Sequence, residues 1–95
     1  MTNIEIARKL QEHAAELAQE RHNLYRVRAF RQAAFAVLGL PQEVTDVIAA
    51  FGPAGLQGVP GIGNSLAETI ANYAQRGEWN PRTPLRRTRR MAKAG

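Results

Sequence analysis

The stretch Val59-Pro60-Gly61-Ile62-Gly63-Asn64-Ser65-Leu66-Ala67 predicts a tight glycine-rich turn that feeds directly into a helix. The two glycines around Ile62 leave backbone N–H groups uncovered by side chains, where a helix start adds partial positive charge. That geometry suits a phosphate oxygen, with the N–H groups of Gly61, Gly63, Asn64 and Ser65 as the expected donors. Held by peptide groups, a polymeric ligand would be gripped by its backbone and its base order left largely unread. The plainer alternative is a helix connector in which Ile62 plugs the core and the glycines serve only the turn. A connector does not need a stripped backbone at a helix start, so the phosphate reading is preferred.

Helical periodicity accounts for the rest of the first 80 residues, and no strand pattern competes. Thr2 and Glu5 have capping-box spacing, and Ile6, Leu10, Ala14 and Leu17 recur on one face, with Ile4, Ala7 and Ala18 widening the stripe, out to about Arg21. Asn23 is a cap or turn residue before a second helix that buries Phe30, Ala33, Ala34, Val37 and Leu38, with Gly39 as its left-handed stop. A third helix is expected over Pro41 to Phe51, burying Val44, Val47, Ile48 and Phe51 and ending at Gly52. A short fourth covers Pro53 to Gln57, and a fifth runs from Asn64 to Arg76 with Leu66, Ala67, Ile70 and Tyr73 or Ala74 inward and Gly77 closing it. The expectation is an all-α bundle of four to five short helices over 1–80, with Trp79 capping its core, followed by a flexible basic tail over 81–95.

Ninety-five residues make one small domain, and without cysteine its stability must come from helix packing. The net charge of +5 is unevenly placed: residues 1–80 hold seven Lys/Arg and eight Asp/Glu, whereas 81–95 hold six basic residues and no acid. The folded part must therefore bind any anion through a local patch. His13 and His22 point away from each other on one helix and read as solvent-exposed rather than metal-binding. With no secretory pattern and no membrane-length apolar run, the expected place is the cytoplasm, or the nucleoid in a bacterium, with no membrane partner and no small-molecule substrate.

The outer face of helix two offers Arg26, Arg28 and Arg31 with Tyr25 and Phe30 close by, and 26–36 contains no acid. Arginine beside an aromatic serves phosphate pairing and base stacking, although such a cluster is also what an ordinary solvated face looks like and Phe30 alone could be core. Arg86, Arg87, Arg89 and Arg90 in the tail suit nucleic-acid phosphates, with anionic lipid, an acidic protein or plain solubility as alternatives.

With Tyr25-Arg26-Val27-Arg28-Ala29-Phe30-Arg31-Gln32-Ala33-Ala34 and Leu56-Gln57-Gly58-Val59-Pro60-Gly61-Ile62-Gly63 in this order, the chain from Asn3 to Trp79 resembles the amino-terminal helix-hairpin-helix domain of X-family, beta-like DNA polymerases. The resemblance implies that Gly61 and Gly63 offer N–H groups to a DNA phosphate. It implies that the carbonyls of Gln57, Val59 and Ile62 hold a monovalent cation, K+ or Na+. It further places Arg26, Phe30 and Arg31 around a 5′-phosphate pocket and Tyr25 where a residue stacks on the template at a gap.

The family's deoxyribose-phosphate lyase uses a lysine after the hairpin, and this chain has Thr69 there, with Ser65 in place of a second, phosphate-pocket lysine. Its only lysines are Lys9 and Lys93. The reading is accordingly a non-enzymatic, non-sequence-specific DNA-binding module for duplex, gapped or nicked DNA or 5′ ends, acting in repair beside other repair proteins and without a polymerase part. The alternatives are an abasic-site lyase working through Lys9 or the terminal amine, and an interaction scaffold that has lost its DNA.

Overall fold

The computed structural model describes residues 1–20 and 23–81. The expected tail from 82 onward, with Arg86, Arg87, Arg89 and Arg90, lies outside the described residues, as does His22. Among the described residues all regular structure is helical: α1 (Asn3–Gln19), α2 (Leu24–Leu38), α3 (Val44–Phe51), α4 (Ala54–Gln57) and α5 (Asn64–Arg76). No helix among them is long and apolar enough to cross a membrane.

Local chemistry sets most helix ends. The Thr2 hydroxyl accepts from the Glu5 N–H at 3.2 Å while the Glu5 carboxylate accepts from the Thr2 N–H at 2.7 Å, the reciprocal capping box that starts α1. The Thr2 N–H, and the Thr2 hydroxyl at 3.3 Å, both donate to the Glu5 carboxylate and hold it below its ordinary pKa. Asn23 starts α2 by accepting from the Tyr25 N–H at 2.8 Å. Gly52 and Gly77, both at φ 72°, end α3 and α5 as glycine permits. Gly39 departs from expectation: at φ −84° it ends α2 in the right-handed region.

The α3 start also differs. Residues 41–43 are not helical, and α3 begins at Val44, whose N–H donates to the Asn3 side chain at 2.7 Å. The cap thus comes from another helix 41 positions away, which no local pattern encodes.

α1 and α2 pair antiparallel, the start of α1 reaching the end of α2 through the Asn3 amide and the Val37 carbonyl. Ile6, Leu10 and Leu17 from α1 and Val27, Phe30 and Val37 from α2 meet Val44, Ile48, Leu56, Ile62 and Ile70 in one core. Three expected core residues are outside it. Ile4, Leu38 and Phe51 are exposed. Beside Phe51, α4 packs on α3 so closely at Gly55 that a Cβ there would come within 2.8 Å of the Val47 side chain and 3.0 Å of the Phe51 Cβ.

Candidate nucleic-acid interface

Helix α2 divides its surface into distinct faces, one of which positions the glycine-rich turn. Tyr25, Ala29, Gln32 and Ala36 recur at helical spacing on that face. Gly61 rests on it: a Cβ there would meet the Gln32 carbonyl oxygen and the Ala36 Cβ at 3.3 Å each, and its φ of 96° already favours glycine. Ile62 then drops into the core, 4 % exposed, and Gly63 leads into α5. Ile62 is a core plug as the connector reading requires, and the turn around it still faces outward.

Within this turn only the Ile62 N–H, of residues 61–66, is used internally, donating to the Val59 carbonyl at 3.0 Å. Among the described residues, the N–H groups of Gly61, Gly63, Asn64, Ser65 and Leu66 meet no backbone acceptor, whereas Ala67 already donates to Gly63 at 2.8 Å. Gly63 is the N-cap and has no side chain to turn back on them. Gly61, Gly63 and Asn64 are exposed and Ser65 is half-buried. The start of a thirteen-residue helix therefore presents its donors and its partial positive charge outward.

These donors form one wall of a groove of about 490 Å³, and Tyr25, Arg26 and Gln32 form the other. Tyr25 is 77 % exposed. The half-buried Arg26 guanidinium sits 5.6 Å from the centre of the Phe30 ring and has no ion pair with a carboxylate among the described residues. Its charge is thus held in place by a ring rather than neutralised, and it adds to the field of the α5 N-terminus.

Not every expected site residue joins them. Arg28 and Arg31 are exposed but do not line the groove. Phe30 does line the groove, but at 2 % exposure its ring is packed in the core, meeting His13 at 4.7 Å and Trp79 at 6.3 Å between ring centres, and has no open face for the expected base stacking. Sequence reasoning missed Ala29 and Gln32, although their spacing from Tyr25 was the available signal.

His13 is also corrected. Its side chain is 16 % exposed, packed edgewise on Phe30 and Trp79 and 3.4 Å from the Glu16 carboxylate. Burial pushes its pKa below the ordinary value, with the Arg26 charge adding to the effect and Glu16 opposing it. Trp79 caps the core as expected, resting on Tyr73 at 5.4 Å with the Lys9 ammonium 5.7 Å from its ring centre.

Thr69 is 4 % exposed and its hydroxyl donates to the Ser65 carbonyl at 3.2 Å. Lys9 does not line the groove. Among the described residues no cluster of His, Asp or Glu could hold a metal ion. Backbone carbonyls are a different donor set: those of Gln57 and Ile62 accept no backbone hydrogen bond among the described residues, and that of Val59 accepts one, from Ile62 at 3.0 Å. Neutral oxygens with free lone pairs fit a monovalent cation.

Comparison with curated proteins and with solved structures gave no match. The family model described as a helix-hairpin-helix domain matches residues 1–79, and the chain belongs to that family.

Proposed function

We propose that the protein is a non-enzymatic DNA-binding module that grips the sugar-phosphate backbone without strong sequence preference, at gaps, nicks or 5′-phosphate ends as well as on duplex. Helix-hairpin-helix domains are in general nucleic-acid-binding, which gives the coarse assignment. The observation that carries the finer one is the set of unpartnered N–H groups at Gly61, Gly63, Asn64 and Ser65, opening into the groove that Arg26 faces. One phosphate oxygen accepts from the turn, Arg26 attracts the same or the next phosphate, and Tyr25, at the rim, stacks on an unpaired base. A monovalent cation on the Gln57, Val59 and Ile62 carbonyls would add a positive charge beneath the same phosphate.

Two observations support the absence of lyase chemistry. A Schiff base needs an amine, and the groove walls carry an arginine and no lysine. Thr69, at the position of the family nucleophile, has its hydroxyl committed to the Ser65 carbonyl. The likeness to the X-family polymerase domain, with its place in DNA repair, stands as part of this proposal and rests on the two motifs.

The test is an amide chemical-shift titration of the full chain with a 5′-phosphorylated gapped duplex at several salt concentrations. Shifts at Gly61, Gly63, Asn64 and Ser65, with affinity falling steeply as salt rises, are expected from phosphate contacts and counterion release. Binding that leaves those four amides unmoved removes the proposed site. Borohydride trapping on an abasic oligonucleotide should yield no adduct, and a covalent product would replace this reading with the lyase.

A further inference from the structure

Helix α2 has a third face that neither the core nor the groove uses. Leu24, Arg28, Arg31, Phe35 and Leu38 follow one another at spacings of four, three, four and three residues, the rhythm of a coiled-coil seam. All five are exposed, Leu24 at 69 %, Phe35 at 70 % and Leu38 at 47 %. Neither arginine has an ion pair among the described residues, and α2 contains no acid at all. The seam is apolar at both ends and carries two uncompensated cations in its middle.

We propose that this face docks an amphipathic helix of a protein partner, one that sets two carboxylates against Arg28 and Arg31 and apolar side chains against Leu24 and the Phe35–Leu38 pair. Charge complementarity selects this occupant over the others. A phosphate backbone would satisfy the arginines and leave Phe35 and Leu38 in water. A second copy of α2 laid along the seam would bring arginines toward arginines near its middle. The chain's own residues 81–95 carry six basic residues and no acid, so they are repelled. Because the seam shares no residue with the groove, the proposal goes beyond DNA binding and is tested separately from it.

The probe is a synthetic helical peptide of three heptads with leucines at the seam ends and glutamates at two central seam positions, titrated into the isotopically labelled full chain. Its control carries lysines at those two positions. The glutamate peptide should shift the amides of Leu24, Arg28, Arg31, Phe35 and Leu38, leave Gly61 to Ser65 unmoved, and bind at least about tenfold more tightly than the lysine peptide, as expected for charges facing charges. The double variant Arg28→Glu/Arg31→Glu should invert that preference. Both positions are solvent-exposed, so the fold should persist and circular dichroism verifies it. Equal affinity for the two peptides, or no binding of either, overturns the proposal. So do gapped-DNA shifts that map onto these five residues, which would make the seam a nucleic-acid face, or a concentration-dependent dimer abolished by Phe35→Glu, which would make it a self-contact.

Discussion

Gly61 lies against Gln32 so closely that any side chain on it would come within 3.3 Å of the Gln32 carbonyl oxygen. This contact seats the turn on α2 and sets the groove width, so the glycines at 61 and 63 differ in kind. Gly61 combines φ 96° with a close approach, whereas Gly63, at φ −82°, has nothing within 4 Å of a would-be Cβ. Gly61→Ala should cost about 1–2 kcal/mol of stability, from the left-handed backbone and the contact together. Gly63→Ala should cost less, about 0.5–1 kcal/mol, because its backbone is extended and a Cβ has open space, leaving only alanine's poorer fit to the N-cap position. Denaturant melts of the two variants check this, and equal destabilisation would mean that Gly61 is not seated as described.

Gly63 also permits a separation of stability from binding. As the N-cap of α5 it leaves the first turn's donors open, and Gly63→Asp would return a carboxylate onto them. The variant should gain about 0.5 kcal/mol from the cap and the helix dipole. It should bind gapped DNA more weakly by roughly tenfold, because the new carboxylate occupies and repels the phosphate position. A melt and a fluorescence-anisotropy titration read both effects, and unchanged DNA affinity in a stabilised variant would exclude the α5 start from the interface.

Asn3 fastens three helices with one side chain. Its amide nitrogen donates to the Val37 and Gln42 carbonyls at 3.3 and 2.8 Å, and its oxygen accepts from the Val44 N–H at 2.7 Å. Asn3→Ala should cost about 2–3 kcal/mol, since buried backbone groups would lose their partners. Asn3→Asp should not rescue it, because a carboxylate keeps the acceptor for Val44 but cannot donate to the two carbonyls. Thermal melting of both variants beside wild type provides the measurement.

What the sequence disclosed and what it hid follow one physical division. Features encoded within a few residues were legible: the Thr2–Glu5 box, the Asn23 cap, the glycine stops at 52 and 77, and α5 from Asn64 to Arg76. Features that require a distant partner were not. The start of α3 depends on Asn3, and the divergence of Arg26 from Arg28 and Arg31 depends on which side of α2 the turn occupies. A helical wheel puts Phe30 and Arg26 close together, but only the packing of His13 and Trp79 shows that the ring is consumed inside.

That aromatic cluster makes stability depend on pH near neutrality. His13 faces the rings of Phe30 and Trp79, with Glu16 beside it, the charges of Arg26 and Glu20 within its field, and Lys9 over the far ring. Burial dominates and lowers its pKa in the folded chain from the ordinary 6.5. The unfolded chain therefore takes up the proton first as pH falls, so the stabilisation from neutral His13 is complete above 6.5 and is lost progressively down to the folded-state value. The melting temperature should be lower at about pH 5.5 than at about pH 7.5, a window above the titration of ordinary carboxylates. His13→Phe, which keeps an aromatic ring on Phe30 and Trp79, should flatten that slope. An NMR titration of the His13 ring should give a midpoint below 6.5, and a midpoint above it would mean that the Glu16 carboxylate, not burial, governs the site.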